Sequence, residues 1–511
     1  MKRFAVLATM FLFTFFFSLT WVIGQEKPQY GGTLTFGIRK TVTKINPHNW
    51  TRVGSFWITN TFLEGLVGLD SKGNVAPALA ESWDLSKDGK VYSFHLRKGV
   101  KFHNGREFEA QDVKWNFENM MDKKVGSQRV NELERIDSIE LLDRYTVRVI
   151  LKEPFAPFLA VIADSFVSMI PKESWPTADS KPVGTGPFQF SEYFAGNYIK
   201  LKRFPDYWQR GIPYVDELMI RRIPDDTVRT VGLRTRELDI IDGFPLMQAG
   251  PLLKNPPKEF RLIAVPSWSV AIIAMNNSRA PFNDIRVRKA VGYAINKEEI
   301  ARPIDFGLGE ISNQYYPKGN KWFANIEDPF TKPNVKKAKE LLAEAGYPGG
   351  FSMDMPVEQA FSLGVKAAQI LQSQLEKVGI KVKLEMMETA AYYVKRKQSD
   401  FDMLIFLSPF REDPCWSYQA LYSKSFENYT CYNNPEFERI YNEAARTSIF
   451  EERKRLYTRL VEIINQDVPQ IFISNYPEVY GVGARVQGFQ PNSLATPDYV
   501  DGGMRKAWIK K

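Results

Sequence analysis

The sequence predicts a multi-domain α/β protein whose amino-terminal half is an antiparallel α+β region. Strict apolar alternation in the first half and an alternation of helical and strand patterns beyond residue 330 carry this prediction. At 511 residues the chain is too long for a single small core, and at about 100–200 residues per domain it should hold about two to four.

Taken in order, "VYSFHLRKGVKF" (91–102) sets Tyr92, Phe94 and Leu96 against Ser93, His95 and Arg97, which predicts a strand with one buried face. "IELLDRYTVRVIL" (139–151) predicts two strands around a turn at Asp143 and Arg144. Further on, "NVKKAKELLAEAG" (334–346) places Val335, Ala338, Leu341, Leu342 and Ala345 on one helical face, with Gly346 as the stop. A helix over 365–378 ends at Gly379 and leads into "IKVKLEM" (380–386), a strict alternation. A helix over 389–398 precedes "FDMLIFL" (401–407), an apolar run suited to a strand covered on both faces, and the series predicts parallel pairing. Ser408 to Trp416 then begins where a buried strand ends, the place where open α/β sheets bind ligands. That position favours a pocket wall, with a loop whose aromatics finish the core as the alternative.

Residues 1–24 have the layout of a secretory signal: Lys2 and Arg3, an uncharged apolar run from Phe4 to Gly24, and a cut before Gln25. About 20 apolar residues also suffice for an uncleaved anchor. No cysteine lies near the end of the run for lipid attachment. Removal of the segment takes Lys2 and Arg3 from a net charge of +9 and leaves +7. Acids are interspersed with the bases, as in "RRIPDDTVRTVGLRTRELD" (221–239), so a solvated mixed surface is expected and no nucleic acid. The only cysteines, Cys415 and Cys431, suit a disulfide in an oxidising compartment or two unlinked thiols.

The chemistry of common enzymes is missing. His48, His95 and His103 are the only histidines, without zinc-site spacing, and no glycine-flanked serine elbow is present. "DLSKDGKVYSFH" (84–95) imitates a calcium loop but carries His95 where a bidentate glutamate is needed. "VGTGPF" (183–188) lacks the lysine of a phosphate loop, and Pro187 removes an amide donor, so a structural turn is expected. Scattered carboxylates remain the one route to a hydrolase, through a glycosidase-like pair formed only in the fold.

Several ordered motifs resemble the family 5 extracellular solute-binding proteins, the peptide, opine and nickel receptors of ABC importers. They are "GGTLTFGI" (31–38), "FLEGLVGLDSKGNVAPALAESWDLSKDGKVYSFHLRKGVKFHNG" (62–105), "VGTGPF", "DYW" (206–208), "NNSRAPFNDIRVRKAVGYAIN" (276–296), "KAKELLAEAGYPGG" (337–350) and "RLYTRLVEIINQDVPQIF" (455–472). The resemblance implies a periplasmic-binding-protein-like α/β fold, with two large lobes joined by a hinge and a smaller inserted α+β lobe. It implies lobe I over 25–70, 185–277 and 482–511, the inserted lobe II over 71–184, and an α/β lobe III over 278–481. The ligand would lie between lobes I and III, which close by hinge bending for a membrane permease. A periplasmic monomer without enzymatic activity, cofactor or protein-built metal site is the expectation. Its ligand would be peptide-like, opine-like or an oligosaccharide, with a metal chelate as the alternative and a hydrolase, chaperone or sensor behind it.

The resemblance also carries over two loops. Trp50, Thr51, Arg52 and Val53 match a site-lining loop of the peptide receptors. The stretch from Leu407 and Ser408 to Trp416 matches the segment in which those receptors place an aspartate for the ligand's amino terminus, and here Phe410 occupies that position. Either Glu412 or Asp413 takes the role, or the ligand presents no free amine. Phe410, Trp50 and Trp416 are expected as apolar faces, Arg411 as a carboxylate partner and Trp268 as a contact near the hinge. Replacing Phe410 or Trp416 by Ala is expected to weaken binding with little loss of fold.

Overall fold

The computed structural model describes residues 27–40, 45–49, 56–409 and 411–511. The expected signal segment, the loop Trp50 to Val53, and Phe410 lie outside the described residues. No helix among the described residues is long and apolar enough to cross a membrane.

The frame is a nine-stranded mixed sheet. Thr33–Ile38 runs parallel to Glu217–Arg222 and to Ile240–Ile241, and the antiparallel strands Tyr198–Arg203 and Phe188–Phe194 extend that side. On the other side the long strands Phe260–Met275 and Gln470–Gly483 pair antiparallel, and Met403–Pro409 closes the edge. The long pair spans two cores. Tyr480 and Val482 pack with Leu34, Phe36 and Leu218, whereas Ile471 and Ile473 pack with Ala271, Ile273 and Met403. Between the two cores the pairing register shifts, from Pro266 opposite Pro477 to Val270 opposite Asn475. Each proline lacks the N–H that a ladder needs, so regular pairing is interrupted where the chain passes from one lobe to the other.

The first half meets the alternation argument. Ala80–Leu85, Val91–Leu96, Thr146–Leu151 and Ile136–Asp143 form a four-stranded antiparallel sheet, and Tyr92, Phe94 and Leu96 are all buried. Helix Ala110–Met121 starts with a reciprocal Glu109–Asp112 capping box and buries Val113, Phe117 and Met120 in the same cluster.

"VGTGPF" is a structural turn. A Cβ on Gly184 would stand 2.3 Å from the Phe62 carbonyl oxygen, and one on Gly186 would stand 2.6 Å from the Phe62 carbonyl carbon. Between them the Thr185 hydroxyl donates to buried Glu64 (3.1 Å). Tyr207 and Trp208 of "DYW" donate to the same carboxylate at 2.7 and 2.9 Å, so both motifs serve one buried acceptor.

Beyond residue 330, helices Val335–Glu344, Ser362–Glu376 and Thr389–Lys397 form where the pattern placed them. Ile380–Met387 pairs parallel with Phe351–Glu358 across helix Ser362–Glu376. Met403–Pro409 corrects the expectation of parallel pairing: it is antiparallel to Phe260–Met275. Its hydrogen-bonding neighbour is a strand arriving from the other lobe, so the local helix–strand alternation does not set its direction. Burial on both faces does hold, with Leu404 and Phe406 in one core and Met403 and Ile405 in the other. Cys415 and Cys431 are unbonded, and the Cys415 thiol points to the Tyr441 hydroxyl at 3.2 Å.

Candidate functional site

A cavity of about 480 Å³ opens past the end of Met403–Pro409. One wall comes from the antiparallel first half of the chain, with Arg129, Arg135 and Phe155. The other comes from the far lobe, with Lys397, Arg411, Trp416, Glu427 and Tyr429. Its volume falls in the range of small-molecule sites. The two walls also touch beside it, where the Ala156 N–H donates to the Ala445 carbonyl (2.8 Å) and Arg446 pairs with Glu153 (3.2 Å). The apolar cluster runs on from Tyr92 and Phe158 to Phe437 and Tyr441. This is a closed arrangement of the two sides.

Local rules place each side chain. Arg129 precedes the single helical turn Val130–Leu133, and its side chain is only 3% exposed. It donates to Asp164, which also caps the turn Ser165–Val167 by accepting from the Phe166 N–H. Burial opposes ionisation of Asp164, but Arg129 and Arg411 outweigh it and hold the carboxyl below its ordinary range. The Arg129 guanidinium stands over the Trp416 ring, 4.1 Å from the centroid, while its buried Nε has no hydrogen-bond partner among the described residues.

Trp416 rides on helix Pro414–Tyr418, which Asp413 caps by accepting from the Cys415 N–H (3.0 Å), with Pro414 in the first turn. The same Asp413 pairs with Arg453 at 2.8 Å. Arg411 is held through its backbone: its N–H donates to the Ser417 hydroxyl (3.2 Å), and its carbonyl accepts from Tyr316 (2.8 Å). The guanidinium of Arg411 lies 5.9 Å from the Trp416 centroid. Glu412 is pushed well above the glutamate range, first by burial and then by the facing Asp164. Four cationic side chains therefore line the cavity, against the two carboxylates of Glu132 and Glu427.

The structure brings Arg411 and Trp416 into this cavity. Ser408 lines a smaller void of about 80 Å³ behind Trp416, and Leu407 packs against the core of the far lobe. Trp268 lies within Phe260–Met275, at the register shift between the lobes. Asp413 requires a correction: it is 4% exposed, its oxygens serve the helix cap and Arg453, and it does not line the cavity. Trp416 is 8% exposed and belongs to the large core, so its removal cannot leave the fold untouched. Sequence reasoning missed Arg129, Arg135, Phe155, Lys397, Glu427 and Tyr429. The resemblance implied a ligand between lobes I and III, whereas Arg129, Arg135 and Phe155 come from the 71–184 stretch.

Residues 74–429 match the profile of the bacterial extracellular solute-binding proteins, family 5 Middle. The glutathione-binding protein GsiB of Shigella flexneri is 32% identical over 448 residues, covering 84% of this chain and 86% of that protein. Among solved structures, the periplasmic binding protein DppA of Helicobacter pylori in complex with the peptide STSA superposes with a TM-score of 0.79 at 30% identity, over 94% of this chain and 99% of that one. The binding protein AgaA of A. tumefaciens R10 in complex with agropinic acid superposes with a TM-score of 0.77 at 28% identity, over 94% and 99%. With this fold, this interlobe cavity and these relatives, the chain belongs to the family 5 extracellular solute-binding proteins, the ligand-capturing components of ABC importers.

Proposed function

We propose that this protein captures a compact, acidic, peptide-like solute between the insert and the far lobe and presents it to an ABC permease. The observation that carries this reading is the excess of cations at the cavity, where Arg129, stacked on Trp416, stands with Arg135, Lys397 and Arg411 against the carboxylates of Glu132 and Glu427. A carboxylate placed there would receive charge-assisted hydrogen bonds worth about 1.5–3 kcal/mol each. Glutathione, a peptide and agropinic acid, named for the three relatives, all carry carboxylates. An oligosaccharide is less suited, because Arg129 already covers a face of the indole that a sugar ring would need.

In this reading the lobes divide at 25–70, 71–184, 185–277, 278–481 and 482–511, and residues 266–270 opposite 475–477 bend on closure. Residues 1–24 direct export and are removed, and the mature protein acts as a periplasmic monomer that turns nothing over. Titration calorimetry with glutathione and unmodified tripeptides, set against their methyl esters, tests the central part. The acids are expected to bind about 100-fold or more tightly than the esters. Equal affinities would remove the carboxylate reading.

A further inference from the structure

Beside the first chamber a second one of about 430 Å³ opens. It shares Arg135, Phe155, Cys415, Gln419, Phe426 and Tyr441 with the first, so the two are compartments of a single cleft. Its own walls are Glu153 and Pro154 from the insert, with Tyr422, Lys424, Asn442 and Arg446 from the far lobe.

The chemistry changes from one compartment to the next. Arg135 and Arg446 both pair with Glu153, at 3.0 and 3.2 Å, which ties two of the second chamber's three cations into one ion triad and leaves Lys424 on the wall outside it. Beside these polar groups the second chamber presents four aromatic rings, Phe155, Tyr422, Phe426 and Tyr441. Tyr422 and Tyr441 stack with centroids 4.8 Å apart at 25°, and Phe155 lies under the Arg135 guanidinium at 4.3 Å. Phe426, at the boundary of both chambers, is 77% exposed. A large apolar ring left in water beside a cavity gains binding free energy when a ligand covers it.

We propose that the second chamber is a subsite for an aromatic or apolar appendage on the same solute whose carboxylates the first chamber holds. The proposal rests on the carboxylate reading of the first chamber. It makes the preferred ligand a substituted or extended short peptide rather than a bare one.

Calorimetry on the full mature protein tests this with four probes: glutathione, S-benzylglutathione, and glutathione extended by phenylalanine at either end. At least one aromatic probe is expected to bind about tenfold or more tightly than glutathione. Asn442→Trp fills the chamber from an exposed helix position, so it should abolish that gain and leave glutathione binding unchanged. Phe426→Ala should reduce the gain without harming the fold, because the ring it removes is already exposed. Glutathione binding with no gain for any aromatic probe, or a gain that survives in Asn442→Trp, overturns the subsite alone. If none of the four probes binds, the carboxylate reading fails and the subsite fails with it.

Discussion

The Arg129 guanidinium stands 4.1 Å from the centre of the Trp416 ring, bringing a cation of one cavity wall onto an aromatic face of the other. The pair is formed only when the two sides meet, so it contributes to holding them together as well as to the cavity wall. A desolvated cation–π contact is worth about 2 kcal/mol.

Arg129→Met should therefore weaken binding of an acidic ligand by about 10- to 100-fold. Removing the guanidinium alone also strands buried Asp164, at about 3–5 kcal/mol of stability. The double variant R129M/D164N separates the two effects: its denaturation midpoint should recover while its affinity does not. Recovery of both would make Arg129 purely structural.

Trp416→Ala should lose affinity and also about 3–5 kcal/mol of stability, because the indole is part of the core. Trp416→Phe keeps an aromatic face under Arg129 and should retain most of the fold with a smaller loss of binding. Denaturant melts and calorimetry on both variants check this, and unchanged affinity in both would remove Trp416 from the site.

Two imidazoles, the buried His48 and the half-buried His103, each cost the fold stability in acid. His48 Nε2–H donates to the Ser168 carbonyl (3.1 Å), and its Nδ1 accepts from the Asn119 amide (2.9 Å). His103 repeats the pattern, donating to the Gly186 carbonyl (3.0 Å) and accepting from the Gly184 N–H (3.2 Å). Both rings are thus neutral, and burial lowers both pKa values to about 4. A depressed folded-state pKa gives stability that is full above the unfolded value of about 6.5 and is lost as pH falls towards 4, about 2 kcal/mol per ring between pH 7 and 5. Glu412 and Asp498, raised chiefly by burial to about 7 and about 6, work in the opposite direction as pH falls and offset most of that loss. Urea denaturation of wild type beside His103→Gln isolates the imidazole: between pH 7 and 5 the stability of the variant should change more favourably than that of wild type, by about 2 kcal/mol. An unchanged slope would contradict the neutral pairing.

Gly186→Ala should cost about 1–3 kcal/mol, because its Cβ would press on the Phe62 backbone 2.6 Å away. A thermal melt that matches wild type would mean that the turn yields.

Legibility followed the range of the interactions. Tyr92, Phe94 and Leu96 were readable because a period of two is a local property, and the structure buries all three. The double-sided burial of Met403 to Phe406 was readable for the same reason, but the direction of that strand depends on a partner from the other lobe and was not. Arg411 and Trp416 follow a strand end, which is a local signal, and both line the cavity. Asp413 was over-read: aspartate before Pro414 at a helix start is a capping signal, and the structure uses it as one. Arg129 gives no local signal at all. It flanks the single helical turn Val130–Leu133, and its contacts with Trp416 and Asp164 are ones that only the fold brings to it.

Native mass spectrometry of the purified mature protein, wild type beside Arg129→Met, with chemical identification of whatever is released, tests the central claim most directly. The wild-type protein should carry one small acidic, peptide-like compound that the variant prepared in parallel lacks. A neutral sugar or a metal chelate in the wild type, or the same acid retained undiminished by Arg129→Met, would contradict a ligand held through this wall.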